Sequence, residues 1–312
     1  MTDLLEERKL KAAKWFRTLR DQICESFEKI EDGNAHFDRK KWQRDGGGGG
    51  EISIMKGKVF EKVGVNISTV WGEFSPEFRK SIPGAEADPK FYATGISLVA
   101  HMQSPLVPAV HMNTRFIVTT KSWFGGGADL TPMYANEKDT ADFHLAFKQV
   151  CDAYDDDYYA KFSKWCDDYF FIKHRNCPRG VGGIFYDYLD NGNWDADFSF
   201  TQDVGRAFLE AYVPLVRKNK DAQWTAEERE EQLTKRGHYA EFNLVYDRGT
   251  RFGFMTNGNT EAILMSLPPE AKWPSPFEIN TNKQRKDDEE TTHDHNHSCS
   301  GNGNCSGKCK RG

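Results

Sequence analysis

An α+β fold built around an antiparallel sheet is predicted by three observations. Strand-like segments occur in neighbouring groups and do not alternate singly with helices, which is the pattern of antiparallel pairing. Apolar stripes at three- and four-residue spacing mark helices between and around those groups. The chain has 312 residues, 38% of them hydrophobic, which is enough for one large core or two modest ones.

The elements follow in order. Leu4, Leu5, Leu10, Trp15, Phe16, Leu19, Ile23, Phe27 and Ile30 form the apolar face of an amphipathic helix. Asp45 and the five glycines Gly46 to Gly50 end that pattern in a loop, either mobile or closely approached by other groups, because the run has no side chain to pack. Two strands are predicted over residues 51–72, where Ile52 and Ile54 alternate and Val59, Val63, Val65, Ile67 and Val70 recur. Residues 93–99 and 109–120 supply further strands, joined by a connector bounded by Pro105 and Pro108, and Gly125 to Gly127 read as a glycine-rich turn. Residues 143–171 read as one aromatic helix, and 200–216 and 226–236 as two more. Strands return at 239–246 and 253–256. From about Asn280 the chain is polar, rich in His and Cys, and without periodicity. The organisation predicted is a single domain over residues 1–278 and a disordered tail over 279–312.

Charge and cysteine usage exclude several classes. Lys and Arg number 42 against 47 Asp and Glu, so the chain is no basic nucleic-acid coat. No apolar run approaches the ~20 residues that span a bilayer, and Met1 to Lys9 has no signal-peptide apolar region. Four cysteines are scattered through the body and Cys299, Cys305 and Cys309 crowd the tail, which is no secreted disulfide framework. The expected location is the cytoplasm. Nucleotide-binding glycine motifs and the Gly-x-Ser-x-Gly elbow are absent.

Chemistry concentrates in three segments. In Pro108 to Phe116 a strand would put His111, Asn113 and Arg115 on one face and Val110, Met112, Thr114 and Phe116 on the other. That is either an ordinary solvent-facing polar row or an acid/base group beside an anion clamp. In Trp123 to Pro132 three glycines allow close approach of a flat ligand and Asp129 follows them; the plainer reading makes Asp129 a turn or cap residue. The third segment, His174 to Phe185, carries Arg175 and Arg179. With Arg115, Arg248 and Arg251 these would suit a ligand with several carboxylates. His101, His111, His144 and His174 are spaced too widely for any local zinc motif.

Taken together, Gly46 to Gly50, Gly95-Ile96-Ser97-Leu98-Val99, the His111 to Arg115 strand, Trp123 to Pro132, His174 to Tyr188 and Tyr239 to Thr250 resemble the oxygen-dependent coproporphyrinogen III oxidases of the bacterial type. The resemblance runs from about Lys11 to Pro276. It implies a flat antiparallel sheet of about seven strands with helices on both faces. The activity implied is oxidative decarboxylation of two propionates of coproporphyrinogen III to vinyls, giving protoporphyrinogen IX in haem synthesis with O2 as oxidant. It further implies a homodimer, with its interface around residues 239–274, and no organic cofactor. Some bacterial members are described as holding a divalent metal such as manganese on four histidines, here His101, His111, His144 and His174; others need none. Carried onto this chain, His111 is the implied proton donor and Asp129 the carboxylate facing the pyrrole N–H groups. Substrate contacts fall on Ser97, Asn113, Thr114 and Arg115, and on the loop Asn257, Gly258 and Asn259, with Arg175 added from the arginine count. Members commonly carry Arg where this chain has Asn259 and Glu where it has Cys177. A second reading of these departures is a catalytically weakened paralogue that binds a porphyrin or a metal.

Overall fold

The computed structural model describes residues 2–274. In chain order the elements are α1 (Thr2–Glu28), β1 (Asp38–Gln43), β2 (Gly48–Met55), β3 (Phe60–Glu73), β4 (Lys90–Met102), β5 (Ala109–Val118) and β6 (Ser122–Thr131). They continue with α2 (Glu137–Asp152), α3 (Tyr158–Tyr169), the two-residue strands β7 (Phe171–Ile172) and β8 (Cys177–Pro178), and β9 (Gly183–Leu189). Four helices close the fold: α4 (Trp194–Asn219), α5 (Ala226–Val245), α6 (Arg248–Met255) and α7 (Thr260–Leu264).

Seven strands form one sheet in the order β1-β2-β3-β4-β5-β6-β9, every pair antiparallel. The predicted fold class, an α+β sheet with helices on both faces, is the one observed. Strict alternation along β5 makes Met112, Thr114 and Phe116 fully buried while His111, Asn113 and Arg115 are half-buried. The apolar face packs on α1 and α4, where Phe16, Leu19, Phe27, Phe208 and Tyr212 meet Phe60, Val65, Leu98 and Met112 in one continuous core. The α1 stripe predicted from spacing is the buried one, from Ala12 through Trp15, Phe16, Leu19, Ile23 and Phe27 to Ile30.

Register carries the polar row across the whole sheet. Ile52, Asn66, Ser97, Asn113, Gly127 and Phe185 are successive ladder partners, and so are Ile54, Gly64, Val99, His111, Asp129 and Gly183. Directly opposed residues share a face, so this side of the sheet is a floor of small and polar groups. Helices α5, α6 and α7 stand on that side.

Four sequence expectations are corrected. Residues 239–246 are the second half of α5 and 253–256 the end of α6, not strands. The aromatic and β-branched residues there suggested pairing, but Leu233, Arg236, Tyr239, Ala240, Phe242 and Asn243 are buried at helical spacing. A Thr225/Glu228 capping box starts the helix. The single helix over 143–171 is two, α2 and α3, separated by Ala153 to Asp157, where three consecutive aspartates end the apolar stripe. Gly125 to Gly127 form no turn; they sit inside β6, and the hairpin bends at Thr119 to Lys121. The glycine run is mostly strand, with Gly48 to Gly50 paired to β1 and β3. Strand β1 was not anticipated, because Asp-Arg-Lys-Lys-Trp-Gln lacks an apolar alternation; charged side chains suit the exposed edge it occupies. The domain boundary at 278 and the His/Cys tail lie outside the described residues.

Candidate active site

A cavity of about 650 Å³ lies between the polar sheet face and α6 and α7, within the ~300–1,000 Å³ of small-molecule sites. Its floor includes Ser68, Gly95, Ser97, His111, Asn113 and Arg115. Gly125 leaves room for the Arg115–Asp187 pair: a Cβ there would stand 2.8 Å from Arg115 Nη2 and 2.6 Å from Asp187 Oδ1 and push both side-chain ends aside. At Gly127, φ is +149° and a Cβ would lie 2.1 Å from the Ile184 carbonyl oxygen, so only glycine lets β6 pair with β9 here.

Charge is distributed unevenly. The cavity is lined by Arg44, Arg115, Arg179, Arg248 and Arg251 against Asp187 and Asp247; with Arg179 matched by Asp129 directly behind the wall, the excess is two positive charges in an otherwise acidic chain. Arg115 Nη2 is 2.9 Å from Asp187 Oδ2, and Arg248 Nη2 is 3.7 Å from the same oxygen. Arg248 lies over the Tyr169 ring, which stacks on Phe185 with centroids 4.3 Å apart and planes 7° apart. Arg44 has no carboxylate partner among the described residues; Nη1 donates to the Trp71 carbonyl at 2.7 Å and Nε to the Thr256 carbonyl at 2.5 Å. Arg251 has no ion pair among the described residues. Such a rim binds a polyanion.

At one end of the cavity His111 Nδ1 is 2.8 Å from Asp129 Oδ1. Asp129 is 1% exposed and lies behind His111 and Arg179, which do line the cavity. Arg179 Nη2 donates to both Asp129 oxygens at 2.7 Å, and Nη1 donates to Asn243 Oδ1 at 3.0 Å. Burial by itself would raise the Asp129 carboxyl; the Arg179 guanidinium and the His111 bond outweigh it and hold the group below the usual carboxylate range. Each ring neighbour of Arg179 is aromatic: Phe170, Tyr239 and Phe242, at 3.9, 4.7 and 4.8 Å.

Of the residues singled out from sequence, Ser97, His111, Asn113, Arg115, Gly258 and Asn259 come together around the cavity. The Asn259 side chain also caps α7 by accepting from Ala262 N–H at 2.9 Å. Thr114 also borders the cavity, although it is buried, in register with Gly126 and Ile96. Asn257 is outside the lining, in the left-handed turn between α6 and α7 with φ +53°. Arg175 is also outside it and grips Glu241, with Nε 2.8 Å from Oε2. Three participants were misjudged or missed. Arg179 is the buried partner of Asp129, not a rim clamp; Asp187 and Arg44 drew no notice. The period-two pattern of Phe185 and Asp187 along β9 is the signal that pointed to Asp187.

The four histidines do not converge within the chain. The His101 ring is buried with Nε2 3.0 Å from the Ser266 carbonyl, and burial pushes its pKa down to about 3. Both His144 nitrogens are engaged, by the Tyr159 hydroxyl and the Val181 carbonyl, each at 2.9 Å. His174 lies between the Tyr246 hydroxyl and Glu241 at 2.8 and 2.6 Å. Among the described residues no group of three or more His, Cys, Asp or Glu side chains is disposed to hold a metal ion, so this donor set does not fit a one-chain metal centre.

The sequence profile of the coproporphyrinogen III oxidase family matches residues 11–297. The oxygen-dependent coproporphyrinogen-III oxidase of Rickettsia bellii (strain RML369-C) is 64% identical over 267 residues, covering 83% of this chain and 96% of that protein. The enzyme of the same name from Rickettsia akari (strain Hartford) is also 64% identical, over 275 residues, covering 86% of this chain and 99% of its own.

Proposed function

The chain belongs to the coproporphyrinogen III oxidase family, and from that premise we propose that the arginine-rimmed cavity over β4, β5 and β6 is where it binds its tetrapyrrole. The protein is an oxygen-dependent oxidoreductase of haem biosynthesis that converts two propionates of coproporphyrinogen III to vinyls. For each propionate, conversion to the vinyl group and CO2 releases two electrons and one proton, which O2 as the oxidant takes up. The observation that carries the site assignment is the excess of arginine over a floor of glycine, serine and asparagine: a flat ring with four carboxylates meets flat backbone below and cations at its edge.

In this reading Arg115 takes one propionate, exchanging its bond to Asp187 for the substrate carboxylate. Arg251, without an ion pair among the described residues, and Arg44, which donates to the Trp71 and Thr256 carbonyls, receive others. The aromatic wall of Tyr169 and Phe185 lies along a ring edge. His111, with Asp129 and Arg179 behind it, handles the proton. Nothing in the cavity favours the weakened-paralogue reading.

The test is to mix the purified full chain anaerobically with coproporphyrinogen III, admit O2, and follow protoporphyrin fluorescence after oxidation of the product. Product formation is expected, and it is expected to survive exhaustive chelation, because the four histidines do not converge and no group of three or more His, Cys, Asp or Glu among the described residues is disposed to hold a metal. Tight binding without product would return the weight to a carrier role. A tenfold or greater loss on chelation would assign the chain a metal that its histidines do not explain.

A homodimer is proposed through the α5–α6 surface. Leu244, Val245, Phe254 and Met255 are 43–56% exposed there, within the region expected to meet a second copy. Sedimentation should give a dimer for the native chain and a monomer for Leu244→Asp/Val245→Asp. The four body cysteines are free, in keeping with a reducing, cytoplasmic setting, and no described helix is long and apolar enough to cross a membrane.

A further inference from the structure

An unbroken hydrogen-bond chain crosses the sheet face from Arg115 through Asn113, His111 and Asp129 to Arg179. Its direction is dictated by what each group can donate. Arg115 Nη1 stands 2.8 Å from Asn113 Oδ1; a guanidinium only donates, so the amide must present its oxygen to Arg115 and turn its NH2 the other way. There the NH2 meets His111 Nε2 at 3.1 Å. An amide NH2 also only donates, so Nε2 must be an unprotonated acceptor.

The opposite end gives the same answer independently. Arg179 is 2% exposed on its side chain, enclosed by Phe170, Tyr239 and Phe242, and bonded to both oxygens of Asp129. A buried guanidinium in that position keeps Asp129 an anion and therefore an acceptor. His111 Nδ1, 2.8 Å away, must carry the hydrogen.

We infer that this chain locks His111 as the Nδ1–H tautomer, so that Nε2, the nitrogen on the side of the cavity-lining Asn113, accepts a proton from the substrate and does not supply one. Asn113 and Arg179 are then positioning residues. The proton accepted at Nε2 breaks a substrate X–H bond whose electron pair stays on the substrate for delivery to O2, and the imidazolium so formed returns the proton to the reduced dioxygen. A carboxylate docking on Arg115 also competes for the hydrogen bond that holds the Asn113 oxygen, which frees the amide to uncover Nε2. The proton-donor role implied by family resemblance is thereby reversed for the first transfer. The inference rests on the cavity being the substrate site, but the tautomer itself is a property of the free protein.

Histidine-selective ¹⁵N labelling of the full chain, with the His111 signals assigned by their loss in His111→Gln, reads the tautomer directly. Protonation at Nδ1 alone is expected. In Asn113→Asp a second carboxylate faces Nε2 while Asp129 still requires a hydrogen on Nδ1, so both ring nitrogens should be protonated, with kcat falling about 100-fold. Asp129→Asn provides a second variant: Arg179 claims the amide oxygen, the NH2 faces Nδ1, and with donors on both sides the single Nδ1–H tautomer should give way to a mixture of the two. A native ring protonated at Nε2, or variants that lose activity while the tautomer stays put, would overturn the inference. A native Nδ1–H ring in a chain that fails to turn over coproporphyrinogen III would instead defeat the functional reading and leave the tautomer assignment standing.

Discussion

Asp129→Ala should lose turnover by at least about 1000-fold and also lose about 3–5 kcal/mol of stability. The two losses have different origins. Sequence alone suggests a catalytic carboxylate removable without harm to the fold, but Arg179, buried beside it, would keep its charge with no counter-ion. Breaking a buried pair from one side is far more costly than removing both members. Asp129→Ala/Arg179→Leu should therefore recover most of the stability and none of the activity. Urea midpoints for the four proteins of the cycle, with oxygen uptake on each, check both halves. Equal destabilisation in the single and double variants would show that the pair contributes nothing beyond packing.

Arg115→Gln should lower kcat/KM by about 2–5 kcal/mol of transition-state stabilisation, roughly 30-fold to several-thousand-fold. Arg115 has three attachments: Asp187, the Asn113 oxygen and the Phe185 face at 5.9 Å. Replacing it removes a carboxylate clamp and loosens the amide next to His111, so both KM and kcat should suffer. Steady-state kinetics at saturating oxygen separates the two. A change confined to KM would reduce Arg115 to a docking residue.

Much of the site was legible because strand periodicity is rigid. Once residues 109–118 are a strand, His111, Asn113 and Arg115 must share a face and Thr114 must leave it. The role of Arg179 was not legible, because a cation fifty residues from its carboxylate looks the same in sequence as one at a ligand rim; only the return of β9 beside β6 brings the two together. Residues 239–246 misled for a different reason. Tyr, Phe and Val favour strands intrinsically, and tertiary packing of Tyr239, Phe242 and Asn243 against the Arg179 box decided for a helix. The three glycines of β6 read as a turn because glycine more often ends a strand than lines one; here the missing side chains make room for Arg115, Asp187 and the β9 backbone.

The strand order also sets a sequence of assembly. Strands β1 to β6 pair with their immediate chain neighbours, so that part of the sheet can zip by local hairpins, whereas β9 reaches β6 only after α2 and α3 have formed and the chain has doubled back. Asp129 belongs to the early part and Arg179 arrives with the late strand. A chain emerging from synthesis thus holds most of its sheet before its reactive centre exists, and a stalled or truncated product lacks the machinery to join oxygen with an easily oxidised tetrapyrrole. Reactivity is withheld until the last strand docks, a safeguard that comes from topology alone.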